Sequence, residues 1–140
     1  MGKRIDNTTC HCLKMRRSAW NVISFYDRKL APSGITVRQY SLLHSIGEHE
    51  GCNMRELGDW TELERSTLAR SLKPLLKAEL ICDKKEAGMR DSHLFLTEKG
   101  RKICDFAGDL WNEAQKQFED IVGKERVTQL EKTLEILQTL

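Results

Sequence analysis

The 140-residue chain has the length of one domain, or of one domain with an arm, and it is long enough to bury a core of its own. Hydrophobic residues make up 39% and charged residues 31%, a composition that excludes a disordered chain. No apolar run approaches the roughly 18 residues that a membrane helix needs, and residues 1–7 are too polar for a secretion signal, so we expect a cytoplasmic protein. The formal net charge of +2 combines −4 from Asp105 onward with +6 before it, so a polyanion would meet the first three quarters of the chain.

The first part of the chain is predicted to be helical, because two prolines and nine glycines leave long uninterrupted segments. Thr8 and Thr9 are predicted to cap a first helix that ends near Leu30, since the residue before Pro32 avoids helical geometry. A second helix is predicted to start at Thr36 and to stop within residues 47–51. Its apolar residues recur at helical spacing: Val37, Tyr40, Leu42, Leu43 and Ile46.

A short third helix and a basic fourth helix are predicted next. The third helix contains Met54, Leu57 and Gly58, and residues 60–63 form the bend out of it. The fourth helix covers residues 64–79, and Pro74 inside it predicts a slight bend. One side of this helix is apolar: Leu68, Leu72, Leu75, Leu76 and Leu80. The other side carries cations and hydroxyls: Arg65, Ser66, Thr67, Arg70, Lys73 and Lys77.

The last part of the chain predicts a hairpin and two helices. Residues 80–83 and 92–96 are short extended runs joined through a charged tip. A long helix is predicted over residues 98–122, capped by Thr97 and ended by Gly123, with an apolar stripe: Ile103, Phe106, Leu110, Trp111, Ala114 and Phe118. The final helix has apolar residues along one edge: Val127, Leu130, Leu134, Leu137 and the terminal Leu140. A symmetric partner would cover that edge; alternatively, this helix folds back on its own domain.

This order of elements predicts a mainly α, winged helix-turn-helix fold in which the hairpin is the wing. A helix with serine, threonine and arginine near its N-terminus can enter the major groove of DNA, where these side chains donate to base edges and phosphates. At the hairpin tip, Arg90 is the candidate for an adjacent minor groove, because a narrow minor groove attracts a guanidinium. The alternative is an ordinary amphipathic helix with a solvated polar face.

The same residues resemble the MarR family of bacterial transcriptional regulators. The resemblance runs through Leu57-Gly58-Asp59, through Glu64-Arg65-Ser66-Thr67-Leu68-Ala69-Arg70, and through the wing from Arg90 to Arg101. It extends to the turn at residues 30–36 and to the long terminal helices. In that family the wing commonly reads Asp-x-Arg-x-x-x-Leu-x-Leu-Thr. Here the arginine, leucines and threonine hold their places as Arg90, Leu94, Leu96 and Thr97, and Gly88 stands where the acid would be.

The resemblance implies one domain over residues 1–140. Residues 36–100 would form a DNA-binding head, and residues 8–32 and 101–140 would form a dimerisation arm. Two heads related by a two-fold axis would bind an inverted repeat with half-sites roughly 10 base pairs apart, centre to centre. We therefore expect a homodimeric repressor whose DNA binding is relieved by a small ligand or by thiol oxidation. In it Ser66, Thr67 and Arg70 would contact bases, and Arg65, Lys73 and Lys77 would contact phosphates.

The five cysteines are an odd number and unevenly spread, so reduced thiols are expected. Cys10 and Cys12 lie near a helix N-terminus beside cationic residues, a setting that favours a peroxide-reactive thiolate and loosely resembles the OhrR branch of the MarR family. The alternative is that both are small half-buried residues at a dimer interface. A zinc site would draw its ligands from a further set: Cys10, His11, Cys12, His44, His49 and Cys52. Adjacent side chains on a helix diverge, so no metal site is expected.

Other functions are less well supported by the residues. The MarR resemblance implies an aromatic effector between arm and head, with walls drawn from Trp20, Phe25, Tyr26, Tyr40, Trp111 and Phe118. Taken singly, each ring fits a core position better than a ligand site, and Cys82 and Cys104 are also expected in the core. A competing hypothesis is a protein-binding adaptor that uses the basic helix to bind an acidic partner. An enzyme is not expected, and no cofactor is predicted, because the chain has no phosphate loop, nucleophile elbow or paired metal-ligand helix.

Overall fold

The computed structural model describes residues 9–140, and over these residues the chain is mainly α-helical with one small antiparallel sheet. The elements in chain order are α1 (His11–Leu30), a 3-10 turn (Ala31–Ser33), α2 (Val37–Glu48), α3 (Met54–Thr61), α4 (Arg65–Lys77), β1 (Ile81–Asp83), β2 (Leu94–Leu96), α5 (Glu98–Val122) and α6 (Lys124–Leu137). The predicted winged helix-turn-helix is confirmed.

Two of the predicted helix starts carry the expected caps. The Thr36 hydroxyl accepts from the backbone N–H of Gln39 at 3.2 Å, while the Gln39 side chain accepts from the backbone N–H of Thr36 at 2.9 Å. The Thr97 hydroxyl accepts from the N–H of Gly100 at 2.9 Å. Each hydrogen bond satisfies an N–H that a helix start would otherwise leave unpaired.

The predicted start of α1 is wrong. The N-cap residue is Cys10, whose side chain makes no capping hydrogen bond within the described chain, and the helix proper begins at His11. Thr9 lies in the turn before it. Thr8 falls outside the described residues. The N-cap position of α1 is therefore occupied by a cysteine rather than by a threonine.

The core lies where α2, α3, α4 and α5 meet the sheet. Its largest fully buried side chains are Leu30, Leu42, Leu43, Ile46, Leu57, Leu68, Leu75, Ile81 and Leu94. Burying one such side chain contributes about 1.5–3 kcal/mol. The sheet is extended on its outer edge by a bridge between Cys52 and Leu94, so the segment after α2 also fixes the position of the hairpin.

Two residues predicted for apolar stripes are exposed instead. Leu76 keeps 41% of its surface and Phe106 keeps 46%. At 100° per residue, Leu76 lies beside the row of Leu68, Leu72 and Leu75, not within it. The same rotation takes Phe106 off the α5 stripe, which is occupied by Ala107, Ala114 and the buried Cys104.

The two end helices bury little. Among the described residues, α1 buries Leu30 alone, and α6 buries none. Trp20 on α1 is 69% exposed and Ile136 on α6 is 66% exposed. Large apolar side chains at this exposure indicate surfaces that a partner would cover.

Candidate nucleic-acid interface

The bend between α3 and α4 brings the basic helix to the surface. The α3 helix starts with a reciprocal cap between Asn53 and Glu56 and ends where Glu62 adopts a left-handed conformation with φ 55°. A Cβ on Gly58 would lie 3.4 Å from the backbone oxygen of Leu63, so the chain turns in close contact with α3. The short bend sets α4 at an angle to α3, as a helix-turn-helix requires.

The polar face of α4 is exposed as the sequence predicts. Leu68, Leu72 and Leu75 are buried, whereas the polar side is exposed at Arg65, Ser66, Arg70, Lys73 and Lys77. Thr67 is half-buried, and its carbonyl accepts from the Ser71 hydroxyl at 2.8 Å. Among residues 9–140 none of the four α4 cations takes part in an ion pair. Their charges are therefore available to an external anion.

The hairpin places Arg90 beside the start of α4. Ile81 pairs with Leu96 and Asp83 pairs with Leu94. The tip is a tight turn in which the N–H of Met89 donates to the carbonyl of Glu86 at 3.0 Å. Gly88 occupies the third position of that turn with φ +90°, a conformation that strains any residue with a Cβ. An acid at position 88, as in the family pattern, would therefore be strained in this turn, and glycine is not.

A groove of about 690 Å³ connects these elements. It runs between α3, the start of α4 and the hairpin, and three arginines line it: Arg55, Arg65 and Arg90. Four acids share the same lining: Asp59, Glu62, Glu64 and Asp91. Arg55 was not predicted from the sequence; its place in the first turn of α3, on the polar face, was the signal that could have identified it.

The far end of α4 is fastened to α5. The Thr97 hydroxyl donates to the carbonyl of Glu79 at 2.6 Å, and the ammonium of Lys99 donates to the carbonyl of Ala78 at 3.1 Å. A Cβ on Gly100 would lie 1.8 Å from the carbonyl oxygen of Leu80, so only glycine permits this approach. The segment that follows α4 is therefore held in direct contact with the start of α5.

The aromatic residues proposed as walls of a ligand site do not form one cluster. Phe25, Tyr26 and Phe118 pack against one another, with ring centroids 5.7–6.5 Å apart. Tyr40 lies 6.4 Å from Trp111 in a second group. Burial is the first cause that raises the pKa of both tyrosines above 10.0. All five rings are half-buried and pack against one another within these two groups.

Trp20 lines a different space. It borders a groove of about 700 Å³ between α1, α2 and the end of α3, together with Ile23, Val37, Arg38 and Leu63. The groove is mainly apolar, and its lining contains one cation, Arg38, and one acid, Asp27. An aromatic ring would fit its apolar walls.

The cysteines are all free thiols. Cys10 is half-buried and Cys12 is exposed, both at the start of α1, whereas Cys82 is half-buried in β1. Cys52 and Cys104 are buried, and burial is the first cause that raises the pKa of each above 9.0. Raised pKa values make these two thiols less reactive.

Two of the three histidines that were candidate zinc ligands, His44 and His49, pack against aromatic rings. His49 stacks on Trp60 with 4.0 Å between ring centroids, and His44 packs against Tyr40 at 5.9 Å. Over residues 9–140, no group of three or more His, Cys, Asp and Glu side chains is arranged to hold a metal ion. In the same part of the chain, none of the helices combines the length and the apolar character that crossing a membrane requires.

Comparison with known proteins identifies the same class. Residues 33–88 match the model of the MarR family. The HTH-type transcriptional regulator SarZ of Staphylococcus epidermidis is 29% identical over 108 residues, covering 76% of this chain and 73% of that protein. The M. tuberculosis transcriptional regulator MosR, solved in complex with DNA, is 32% identical with a TM-score of 0.73 over 91% of this chain and 98% of its own.

A more distant structure shares the fold. MarR of E. coli, solved as a mutant complexed with operator DNA, is 19% identical, with a TM-score of 0.83 over 96% of this chain and 99% of that one. The proteins matched are transcriptional regulators. The chain, with its winged helix-turn-helix, belongs to the MarR family of transcriptional regulators.

Proposed function

We propose that this chain is a sequence-specific DNA-binding repressor that binds an inverted-repeat operator as a homodimer. The observation that carries the proposal is the exposed polar face of α4, whose cations make no ion pair within residues 9–140, beside the hairpin arginine Arg90. A surface of unpaired cations binds phosphates without first breaking internal ion pairs, and each phosphate contact releases a counterion from DNA.

The positions along α4 divide the contacts into two classes. Ser66, Thr67 and Arg70 lie in the first two turns and would contact base edges in the major groove. Arg65, Lys73 and Lys77 would bind phosphates, which fix the register without selecting a sequence. Arg90 would enter the neighbouring minor groove.

The homodimer is supported by the apolar residues that the chain leaves uncovered. Leu130, Leu134 and Ile136 on α6 and Trp20 on α1 are exposed. A two-fold partner that presents the same helices would bury them. We assign residues 8–32 and 101–140 to the dimerisation arm and residues 36–100 to the DNA-binding head. The protein would act in the cytoplasm on half-sites roughly 10 base pairs apart.

Two signals are proposed to relieve repression, each with its own place in the fold. A small aromatic effector would occupy the groove bordered by Trp20 and Arg38, next to the caps of α2. Peroxide would act instead on Cys10 or Cys12 at the start of α1. If hydroxybenzoates release DNA from the wild type and not from Trp20→Ala, the effector groove is identified. If peroxide releases DNA from the wild type and not from Cys10→Ser or Cys12→Ser, the thiol signal is identified.

A protein-binding adaptor is the second candidate. It is favoured by the acids that share the groove with the arginines: Asp59, Glu62, Glu64 and Asp91. A mixed surface of this kind suits a protein partner with charges of both signs. The two functions differ in salt dependence, because DNA affinity falls steeply with salt and the adaptor predicts no salt-steep affinity for any duplex.

Arginine-to-alanine variants test the proposed repressor. Arg70→Ala and Arg90→Ala should each weaken binding to a selected duplex by roughly 5–100-fold in a gel shift, as loss of a specific arginine contact requires. Lys116→Ala is the matched control, since it removes an exposed cation from α5, away from the groove. Binding that is unchanged in both arginine variants would reject these assignments.

A further inference from the structure

The hairpin is braced at its base by one carboxylate. Asp83 is the last residue of β1, and its Oδ1 accepts from the backbone N–H of Lys85 at 3.0 Å and from that of His93 at 2.8 Å. Lys85 and His93 lie on opposite arms of the hairpin. A single side-chain oxygen therefore ties the two arms together at the point where the strand pairing ends.

Little else holds the hairpin beyond this point. The pairing of β1 with β2 stops at Asp83 and Leu94, and the N–H of Lys84 donates to the carbonyl of His93 at 2.8 Å beside the carboxylate. Farther out, within the described chain, the tip turn from Glu86 to Met89 is the next backbone hydrogen bond. The direction of the arms is therefore set at the base.

Arg90 depends on that base for its position. It is exposed, and among the described residues it takes part in no ion pair. Gly88 at the tip has no side chain that could hold Arg90 in place. Its positive φ would strain any residue that had a side chain. Within residues 9–140, the Asp83 carboxylate is the side-chain contact that orders the arm carrying Arg90, next to the backbone hydrogen bond from Lys84 to His93.

We propose that Asp83 is a positioning residue for DNA recognition, holding the hairpin in the conformation that directs Arg90 toward the minor groove. The inference rests on the proposed repressor function. Without the brace, the hairpin samples more conformations, and this freedom must be lost when Arg90 binds. The carboxylate thus promotes DNA binding, although its own charge is repelled by phosphates.

Loss of the Asp83 charge alone should strengthen DNA binding, whereas loss of the brace should weaken it. The direction of the change in affinity therefore distinguishes the two effects. The duplex affinity of Asp83→Ala, Asp83→Asn and Glu86→Ala is measured by fluorescence anisotropy on a selected operator. Asp83→Ala should weaken binding about tenfold, the expected effect of losing buttressing hydrogen bonds to a charged acceptor. Asp83→Asn should bind like the wild type, because its amide oxygen can accept from the same two N–H groups. Glu86→Ala removes an equal charge from the same hairpin without touching the brace, so it should bind as tightly as the wild type or tighter.

A double-mutant cycle separates positioning from a general structural role. In an Arg90→Ala background, Asp83→Ala should have little further effect on affinity, because there is no arginine left to position. Amide exchange provides a second readout: the N–H groups of Lys85 and His93 should exchange faster in Asp83→Ala than in Asp83→Asn. If Asp83→Ala does not fold, Asp83→Thr replaces it, since its shorter side chain suits a strand and does not reach both N–H groups.

Distinct outcomes overturn this inference and the proposed function. Wild-type affinity in Asp83→Ala, or an equal loss with and without Arg90, would overturn the positioning role while leaving the repressor intact. Wild-type protein that selects no duplex would overturn the repressor and this inference with it.

Discussion

The central segment of this protein and its two end helices differ in how much of their apolar surface is buried. Residues 36–100 bury most of their large apolar side chains, with Leu43, Ile46 and Leu57 fully buried. The end helices α1 and α6 leave Trp20 and Ile136 mostly exposed. The first region builds most of the hydrophobic core, which residues such as Leu30, Cys104 and Ala107 complete, whereas the end helices carry a surface that a partner copy would cover.

The central segment and the C-terminal part of the chain also differ in charge. The α4 helix presents cations to the outside, while the chain from Asp105 onward carries a balance of −4. A DNA duplex would be attracted to the first region and repelled by the second. Each prediction below tests one side of this comparison or the connection between the two sides.

The largest effect is expected where the central segment meets α5. In Gly100→Ala the new Cβ would meet the carbonyl oxygen of Leu80 at 1.8 Å, and backbone atoms on both sides would have to move. We expect a loss of more than about 3 kcal/mol in the free energy of unfolding, measured by denaturant titration. Gly108→Ala is the control, because its Cβ would approach the hydroxyl of Tyr40 at 3.3 Å, a contact that a small ring shift relieves. Equal stability of the two variants would contradict the close contact between Gly100 of α5 and the carbonyl of Leu80.

A charge on α6 should break the partner surface and spare the central segment. Leu134 is 46% exposed, and Leu134→Glu places a carboxylate where the dimer would bury a leucine. The dimer dissociation constant should rise at least tenfold, equivalent to about 1.4 kcal/mol, in sedimentation equilibrium. Lys132→Glu adds the same acid to the same helix and should have a smaller effect. If the two variants have the same dissociation constant, the apolar edge of α6 is not the interface.

Removing one phosphate contact should change the salt dependence more clearly than the affinity. Lys73→Ala should reduce the slope of log affinity against log salt concentration by about 0.9, since one counterion fewer is released. Lys116→Ala on α5 should leave the slope unchanged. A slope that is equal in wild type and Lys73→Ala would remove Lys73 from the interface.

The smallest effect is expected at the contact that fastens α1 to α5. Tyr26 donates its hydroxyl to the side-chain oxygen of Gln115, and burial, followed by the charge of Glu119, raises the pKa of Tyr26 above 10.0. Because the folded protein holds this proton more tightly than the unfolded chain, the stabilisation is complete below pH 10.0 and is lost as the pH rises through the folded pKa. Thermal melts of Tyr26→Phe should therefore show a shallower alkaline loss of stability than wild type, with a cost of about 1 kcal/mol at neutral pH. If stability falls with rising pH equally in the wild type and Tyr26→Phe, Tyr26 is not the group that causes the alkaline loss.

Local sequence signals predicted much of the fold. The bounds of α5 follow from Thr97 and Gly123, because a hydroxyl cap and a glycine determine where a helix begins and ends without help from distant residues. The exposed face of α4 follows from periodicity alone. These features depend on neighbours within a few positions.

The features that were missed depend on contacts between distant segments. Periodicity places Phe106 at the edge of a stripe, but which residues of α5 face inward is decided by the elements packed against it. Arg55 joins the groove only because the bend and the hairpin bring it to Arg90. The brace from Asp83 to His93 spans ten positions, beyond the range of a local motif.

The central claim is that two copies of the exposed face of α4 bind one inverted repeat. Selection from random duplex DNA, followed by measurement of the mass of the complex by light scattering, tests it most directly. The account predicts an enriched palindrome with half-sites roughly 10 base pairs apart, carrying two protomers per duplex. A complex with a single protomer, or recovery of sequences without a shared motif, would contradict it.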